Sequence, residues 1–323
     1  MKNNLSLLFS LTKRHFTVFF TNKIRLLYTL LVPVLILLIY ILVLRNLELT
    51  TISNTILLMP EMKGLTNAQV DDIVTHSKPL VDSWMLSGIV ALSVVCIAIQ
   101  CCNIIVEDKE NGVNRDFIAS PVNRKVLTFS YFLFVFLLTF VLSLIIVLFA
   151  FVYLAILGEF VLNIGEVFFI FAILIFTSIA SVLLTVLIAT FVNREATLAS
   201  IIAVFSTAVG FLIGAYMPLS MFPKWLSYLC CLFPGSYGCS LLRFSFLNTP
   251  VNIFSDYVIN VAHIPNGDKL INQITTSFGY NIDFFGLTAT PWIQAVVTAG
   301  FILILLIANI LCSKHLTKVI SGK

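Results

Sequence analysis

The chain has 323 residues, of which 59% are hydrophobic and only 11% are charged, and its formal net charge is +4. A water-soluble domain is roughly one quarter charged. So little polar surface cannot cover a soluble globule of this length, and the mean hydropathy of +1.05 indicates that lipid is the solvent for much of the chain.

Residues 1–25 predict an amphipathic interfacial helix. Its apolar face carries Leu5, Leu8, Phe9, Phe16, Phe19 and Phe20. Its polar face carries Ser6, Ser10, Lys13, Arg14, Thr17 and Thr21. A 3.6-residue period with a basic polar face is typical of a helix that lies on the inner surface of a bilayer with its aromatic rings among the headgroups. A soluble helix packed on a partner would have the same pattern.

Six apolar stretches are long enough to cross a hydrocarbon core of about 30 Å as helices. They comprise residues 26–44, 84–106, 126–157, 167–192, 196–217 and 291–312, and none contains Asp, Glu, Lys, Arg or His. The third is longer than a span requires, which predicts that it tilts or projects beyond the membrane. We therefore predict an all-α membrane protein with six transmembrane helices in a single domain over residues 1–323.

The basic residues predict the orientation of the chain. If both termini are cytoplasmic, only six of the 19 Lys and Arg residues fall in outer segments: Arg45, Lys63, Lys78, Lys224, Arg243 and Lys269. Basic residues concentrate on the cytoplasmic side of membrane proteins. We therefore expect a multi-pass protein of the cell (plasma) membrane with both termini in the cytoplasm.

Small residues in the fifth stretch predict close helix packing. Gly210 and Gly214 form a Gly-x-x-x-Gly step, and such steps let two helices approach each other closely. The contact is expected either within the chain or in a dimer.

The segment after the fifth stretch predicts a re-entrant helical hairpin before the last span. Residues 218–246 are apolar and aromatic, but prolines and glycines interrupt them. Two short helices that dip into the outer leaflet and return fit this pattern, provided that protein or a wet cavity covers the irregular backbone. An apolar interfacial loop anchored by Trp225 and Tyr228 is the alternative. The residues that characterise the segment are Pro223, Trp225, Pro234, Tyr237 and Arg243.

The chemistry that the sequence lacks narrows its function. It has no G-x-x-x-x-G-K-[ST] phosphate-binding loop, and its apolar stretches hold no paired carboxylates or His cluster. We therefore expect no catalytic residue, metal or cofactor on this chain, and no nucleic acid partner. Proton- and sodium-coupled carriers usually place ionisable residues at bilayer depth, so the energy for transport is expected to come from a separate subunit. The seven cysteines lack metal-site spacing and are interpreted as small apolar side chains.

A charged segment, residues 107–125, separates the second and third apolar stretches. Glu107, Asp108 and Glu110 come first, and negative charge favours a helix N-terminus through the helix dipole. Pro121 disfavours helix for the residue before it. These features predict a short helix that begins at the acids, lies on the inner membrane face and offers a rigid contact to a cytoplasmic partner. A solvated charged loop would have the same composition.

The order of residues in this segment is more specific than its charge. Glu107, Lys109, Glu110 and Gly112, followed by Ser120-Pro121-Val122 and Arg124, resemble the segment between the second and third spans of type-2 ABC exporter permeases. That family exports drugs, antimicrobial peptides, polysaccharides and lipids. Val113 stands where the family commonly has Thr, and Asp108 replaces a frequent basic residue. Residues 1–25 resemble the family's connecting helix, and residues 218–246 resemble its paired re-entrant helices.

The resemblance implies partners and residue roles. In that family the charged segment is a coupling helix that docks into an ATPase subunit, which carries ATP and Mg. It implies ATPase coupling by Glu107, Lys109, Glu110, Gly112, Arg115, Ser120, Pro121 and Arg124. It implies contact of the connecting helix with the inner leaflet and the ATPase through Lys13, Arg14, Phe16 and Phe20. It also implies a dimer with a second permease chain, identical or homologous.

These features together predict the permease subunit of an ATP-driven exporter. The expected substrate is amphipathic or hydrophobic, such as a drug, an antimicrobial peptide or a lipid-like molecule, and it leaves from the cytoplasm or the inner leaflet. A secondary carrier, a membrane enzyme, and a membrane immunity or sensor protein without its own ATPase are the alternatives.

Overall fold

A computed structural model describes residues 2–58, 66–113, 117, 123–261, 267–279, 282–284 and 287–316. The described chain is almost entirely helical. Its first helices are α1 (Lys2–Thr21), α2 (Lys23–Ile39), α3 (Arg45–Leu58), α4 (Asn67–Cys101), α5 (Asn103–Glu110) and α6 (Arg124–Leu157). The later ones are α7 (Ile164–Phe191), α8 (Glu195–Leu212), α9 (Lys224–Cys231), α10 (Pro234–Asp256), α11 (Gly267–Ser277) and α12 (Pro291–Leu316).

Six helical stretches in the described ranges are long and apolar enough to cross a membrane, and they confirm the predicted fold class. They are Lys23–Thr51, Ala68–Glu110, Arg124–Leu157, Ile164–Phe191, Glu195–Leu212 and Pro291–Ser313. The structure adds one non-helical element to the predicted all-α architecture. Two short strands, β1 (Ile282–Phe284) and β2 (Leu287–Ala289), form an antiparallel hairpin in which Asp283 pairs with Thr288.

α4 is the central helix of the bundle. In the most apolar part of Ala68–Glu110, 89% of the residues are buried, whereas the corresponding share is 17% in Lys23–Thr51 and in Pro291–Ser313. α4 packs against α2, α6, α7, α8 and α10. Two of its buried hydroxyls are satisfied within the helix, since Ser87 donates to the carbonyl of Trp84 and Ser93 to that of Ile89, both at 2.6 Å, whereas the buried hydroxyl of Ser83 has no partner among the described residues. Polar side chains can therefore occupy a helix that is surrounded on all sides.

Two helix boundaries differ from the limits of the apolar stretches. α4 begins at Asn67 rather than near residue 84, because Thr66 and Gln69 form a capping box ahead of it. α8 ends at Leu212 rather than near residue 217, because Gly214 has a φ of 73°. A residue in this left-handed conformation ends a helix, and here the N–H of Ala215 donates back to the carbonyl of Gly210 at 2.8 Å.

Helices occupy both the predicted interfacial segment and the predicted re-entrant segment. That α1 lies at a membrane surface and that the second segment is a re-entrant hairpin stay predictions. On α1, Leu11, His15 and Phe19 are buried, whereas Leu5, Phe9 and Phe20 are exposed. The second segment contains α9 and α10, and α10 continues to Asp256, beyond the predicted limit at residue 246. α10 packs against α4, α7 and α12.

A close backbone approach at Gly88 generates a test of this packing. A Cβ at position 88 would lie 2.8 Å from the carbonyl oxygen of Ala215. We expect Gly88→Ala to destabilise the protein by about 1–3 kcal/mol, because α4 must move away from backbone that cannot yield. Gly300→Ala is the matched control, since nothing lies within 4 Å of a Cβ there. Thermal unfolding of the purified protein checks the pair, and equal melting temperatures would contradict the packing.

Candidate functional site

The start of the predicted coupling segment forms a charged joint, Glu107–Glu110, at the end of α5. Four consecutive residues of an α-helix point in directions about 100° apart. Their side chains therefore surround the helix, and each of the four meets a different part of the chain. These contacts link α5 to α1, α2, α6, α7 and α8.

Asp108 forms the most buried ion pair of the charged joint. The guanidinium of Arg14 donates to both of its carboxylate oxygens, at 2.5 and 2.8 Å, and the hydroxyl of Tyr131 donates to one of them at 2.6 Å. The side chain of Asp108 is 4% exposed and that of Arg14 is 31% exposed. The hydrogen bond to Asp108 raises the pKa of Arg14. This pair fixes α1 to α5 and α6.

His15 packs beside this pair as a neutral side chain. Its ring stacks on that of Tyr131 with centroids 4.2 Å apart, and its Nε2 lies 3.1 Å from the hydroxyl of Ser130. Burial lowers the pKa of His15 to about 4. The imidazole therefore adds no charge at neutral pH, and Arg14 is the cation that faces Asp108.

Glu107 connects α5 to the start of α2. Its carboxylate forms an ion pair with Arg25 at 2.8 Å, and both side chains are largely buried. The guanidinium of Arg25 also lies 6.0 Å from the ring centroid of Phe19 on α1, within the range of a cation–π interaction. The beginning of the first span is thus held by the charged joint.

Lys109 caps the end of α7. Its buried ammonium donates to the carbonyls of Ala189, Thr190 and Val192 at 2.9, 2.7 and 3.1 Å. The last carbonyls of a helix have no partner within the helix, and the negative end of the helix dipole attracts a cation. The three donors of the ammonium therefore meet three acceptors at this helix end, of which the carbonyl of Ala189 also accepts from the backbone N–H of Val192 at 3.3 Å.

Glu110 caps the beginning of α8. Its carboxylate accepts a hydrogen bond from the backbone N–H of Glu195, the first residue of that helix, at 2.6 Å. This N–H is one of the donors that a helix start leaves free. Lys109 and Glu110 therefore hold both sides of the turn between α7 and α8.

The prediction that a helix begins at these acids is wrong. They form the last turn of α5, and the helix ends after Glu110 because Gly112 has a φ of 74°. The acids do not need a helix N-terminus, because Arg14 and Arg25, which are distant in sequence, neutralise them. Asn111-Gly112 directly after Glu110 is a common helix C-terminus, and this signal was available in the sequence.

The remaining predicted coupling residues are placed only in part. Arg115, Ser120 and Pro121 lie outside the described residues, whereas Arg124 is exposed as the first residue of α6. On α1, Lys13 and Phe20 are exposed, and Phe16 contacts the ring of Phe134 edge-on at 5.0 Å. Contact of these side chains with an ATPase or a lipid headgroup stays a prediction.

The Gly-x-x-x-Gly step has a local role in the structure. A Cβ at Gly210 would overlap the ring of Tyr216, which follows α8, and Gly214 terminates the helix. The predicted contact between two helices, including one in a dimer, stays a prediction.

The predicted re-entrant segment contains a buried arginine, Arg243. Arg243 on α10 donates to the carbonyls of Gly214 and Ala215 and lies 5.1 Å from the ring of Trp84. Pro223 and Pro234 stand at the starts of α9 and α10, Trp225 is exposed, and the ring of Tyr237 lies 6.0 Å from that of Phe301. Arg243 therefore joins the end of α8 to α4 and α10.

A second charged cluster, which the sequence did not predict, lies at the opposite end of the bundle. Arg45 binds the buried carboxylate of Asp82 and that of Glu159, both at 2.8 Å, and Tyr40 also donates to Asp82. This Arg45 cluster joins α2 and α3 to α4 and to the end of α6.

Within the described ranges, no group of three or more His, Cys, Asp or Glu is arranged to hold a metal ion.

The unequal burial of Arg14 and Asp108 generates a prediction. Arg14→Met leaves a buried carboxylate without its cation and is expected to cost about 3 kcal/mol. Asp108→Asn is expected to cost about 1 kcal/mol, because Arg14 can turn to water and the amide still accepts from Tyr131.

A thiol-reactive dye measures unfolding on heating, since all cysteines except Cys312 are buried. Lys13→Met, at an exposed position on α1, is the control and should unfold like the parent. The double variant should cost less than the sum of the single ones, and additive costs would exclude a direct interaction.

The Arg45 cluster generates a prediction of pH dependence. Burial, together with Asp82, raises the pKa of Glu159 from 4.5 to about 8, although Arg45 opposes the shift. A carboxyl group with a raised pKa favours the folded state at low pH, and this contribution is lost as pH rises through the shifted value. Arg45, Asp82 and Tyr153 are the titratable groups that face it.

We therefore expect the melting temperature of the parent protein to fall between pH 5 and pH 9, a window that contains the raised pKa of Glu159. Glu159→Gln should flatten this dependence, because the amide stays neutral throughout. Glu166→Gln is the matched control near the same end of the bundle and should keep the slope. An unchanged slope in Glu159→Gln would contradict the assignment.

Comparison with known proteins agrees with this architecture. A family model described as "ABC-2 type transporter" matches residues 6–247, well over half of the chain. The matched region contains nearly all of α1, the charged joint and α2–α8. A comparison with curated proteins finds no match. The chain therefore belongs to the ABC-2 type transporter family, and it is the multi-pass membrane permease component of an ABC transporter rather than its ATPase.

Proposed function

We propose that the chain is the permease of an ATP-driven exporter and that the charged joint transmits the motion of a separate ATPase subunit to the spans. The observation that carries this proposal is the set of four different contacts made by Glu107–Glu110. The segment that follows, up to residue 125, and the exposed face of α1 would contact the ATPase. A second permease chain, identical or homologous, would complete the transporter.

The geometry gives this proposal a mechanical basis. Gly112 ends α5, and α5 follows directly on the central helix α4. A force on the segment after Gly112 is therefore applied at the end of this helix pair. Arg14 and Arg25 would pass the displacement to α1 and α2, whereas Lys109 and Glu110 would pass it to α7 and α8. One small movement at the charged joint thereby reaches most of the bundle.

The distribution of basic residues supports an orientation in which the charged joint lies on the cytoplasmic side. Several helix faces inside the bundle carry hydroxyl groups such as Thr139, Ser143 and Ser178. The buried charges of the described residues are engaged in the contacts described above, and they are Asp82, Asp108, Lys109 and Arg243. This lining supports an amphipathic or hydrophobic substrate, such as a drug, an antimicrobial peptide or a lipid-like molecule. Transport would then run from the cytoplasm or the inner leaflet to the outside.

The test uses the permease purified with the ATPase that copurifies with it and reconstituted in liposomes. Glu110→Lys removes the acceptor for the start of α8, and Gly112→Pro is incompatible with a φ of 74°. Both are expected to lower substrate-stimulated ATP hydrolysis at least about fivefold, the lower range of typical coupling energies.

Asn111→Ala, at an exposed position between the two, is the control and should retain stimulation. Size-exclusion chromatography checks that each variant still assembles. Full stimulation in both variants would contradict the role of the charged joint. Transport by a parent protein that carries no ATPase would instead favour a secondary carrier, and binding without transport an immunity or sensor protein.

A further inference from the structure

An apolar groove of about 660 Å³ lies between α1, α6, α7 and α12 at the end of the bundle that carries the charged joint. Its walls include Leu8, Phe129, Phe132, Val186, Leu306 and Ile310. We call it the α1 groove. Its size falls within the range of small-molecule sites, roughly 300–1,000 Å³.

A single cationic side chain stands in this groove. Lys125 lines it in the first turn of α6. Within the described part of the chain, neither Lys125 nor its neighbour Arg124 forms an ion pair. From Lys125 to Phe132 the groove follows α6 for about 10 Å, at 1.5 Å per residue. Positive charge is thus available at one end of an otherwise apolar surface.

The wall of the groove also contains an unsatisfied acceptor. Asn309 on α12 is 9% exposed, and its amide nitrogen donates to the carbonyls of Leu183 and Leu305 at 2.9 and 2.8 Å. Its side-chain oxygen has no partner. A buried acceptor without a donor is costly, so an occupant that can donate a hydrogen bond would stabilise this site.

Hydrocarbon with an anionic head satisfies these features, whereas an extended peptide does not. An extended peptide in the α1 groove would leave most of its backbone polar groups without partners. An acyl chain has none to satisfy, and a phosphate complements Lys125. A hydroxyl of the headgroup, such as the second glycerol of phosphatidylglycerol, can donate to an acceptor such as Asn309. We propose that the α1 groove binds one anionic glycerophospholipid, with its phosphate at Lys125 and an acyl chain along Phe129 and Phe132.

The position of this lipid connects it to the charged joint. Asn4, Leu5 and Leu8 form the α1 side of the groove, and the same helix carries Arg14 to Asp108. A bound lipid would therefore hold α1 in place over α6. The proposed function includes the orientation of the chain, and only the choice of the leaflet that supplies the lipid rests on it. Binding of the lipid does not depend on transport or on an ATPase.

Native mass spectrometry of the purified full chain in detergent tests the proposal. The probes are palmitoyl-oleoyl-phosphatidylglycerol and phosphatidylcholine with the same acyl chains. We expect one phosphatidylglycerol per chain, bound about fivefold more tightly than phosphatidylcholine, the weight of one lysine near an anionic lipid. Lys125→Gln should abolish this preference, and Lys23→Gln, an exposed lysine at the same end, should retain it.

A second pair of variants tests the acyl-chain site. Ile310→Trp fills the groove, whereas Leu311→Trp, on the neighbouring residue outside the groove, does not. Binding of both lipids should be lost in the first variant and kept in the second. Leu306→Phe gives a milder filling of the same groove, should Ile310→Trp unfold.

Three results would overturn the proposal: a lipid preference that survives Lys125→Gln, equal binding to both Trp variants, or effective competition by glycerol phosphate. Competition by glycerol phosphate would identify a site for a free phosphate. Binding of a cationic amphiphile as tightly as phosphatidylglycerol would also overturn the proposal and would identify a substrate entry site. The lipid-binding measurements use the purified chain without an ATPase and involve no transport. A failure of the proposed function in reconstituted liposomes would therefore leave these measurements unchanged.

Discussion

The burial of the Asp108 carboxylate sets the arrangement of one end of the bundle. A charge withdrawn from water costs several kcal/mol unless a partner compensates it, and α5 offers no cation on the same face. Arg14 and Tyr131 provide the compensation, and they bring α1 against α6. The stacking of His15 on Tyr131 and the packing of Phe19 follow from that approach. One desolvated carboxylate therefore determines how the first helix lies on the spans.

The next two residues bind backbone groups. The turn between α7 and α8 presents the last carbonyls of one helix and the first N–H groups of the next. Buried Lys109 donates to the carbonyls, and exposed Glu110 accepts from the N–H of Glu195. This requires opposite charges in direct succession, because the two helix termini have opposite polarity. The alternation of acidic and basic residues in the charged joint thus follows from the helix ends that it binds.

The sequence predicted the six spans because hydrophobic length is a local property, and the charged segment pointed to the correct functional region. The prediction that a helix begins at the acids is wrong, because residues 94 positions apart form the Arg14–Asp108 pair and no local rule contains them. Gly214 matched a packing motif, but its positive φ makes it a helix terminus. The Arg45 cluster was missed because Asp82 and Glu159 lie just outside the apolar stretches and their pairing depends on how three helices meet.

The Arg45 cluster and the Arg14–Asp108 pair share one asymmetry, since the carboxylate is buried and the arginine is partly exposed. The arginines are 20–31% exposed, whereas Asp82 and Asp108 are 1–4% exposed, so separating either pair would leave a buried charge without its cation. The ion pair that holds α2 to α5 is largely buried as well. Lys109 is buried against α7, and its release would leave a desolvated ammonium. We therefore expect α1, α2, α7 and α8 to follow a displacement of α5 together.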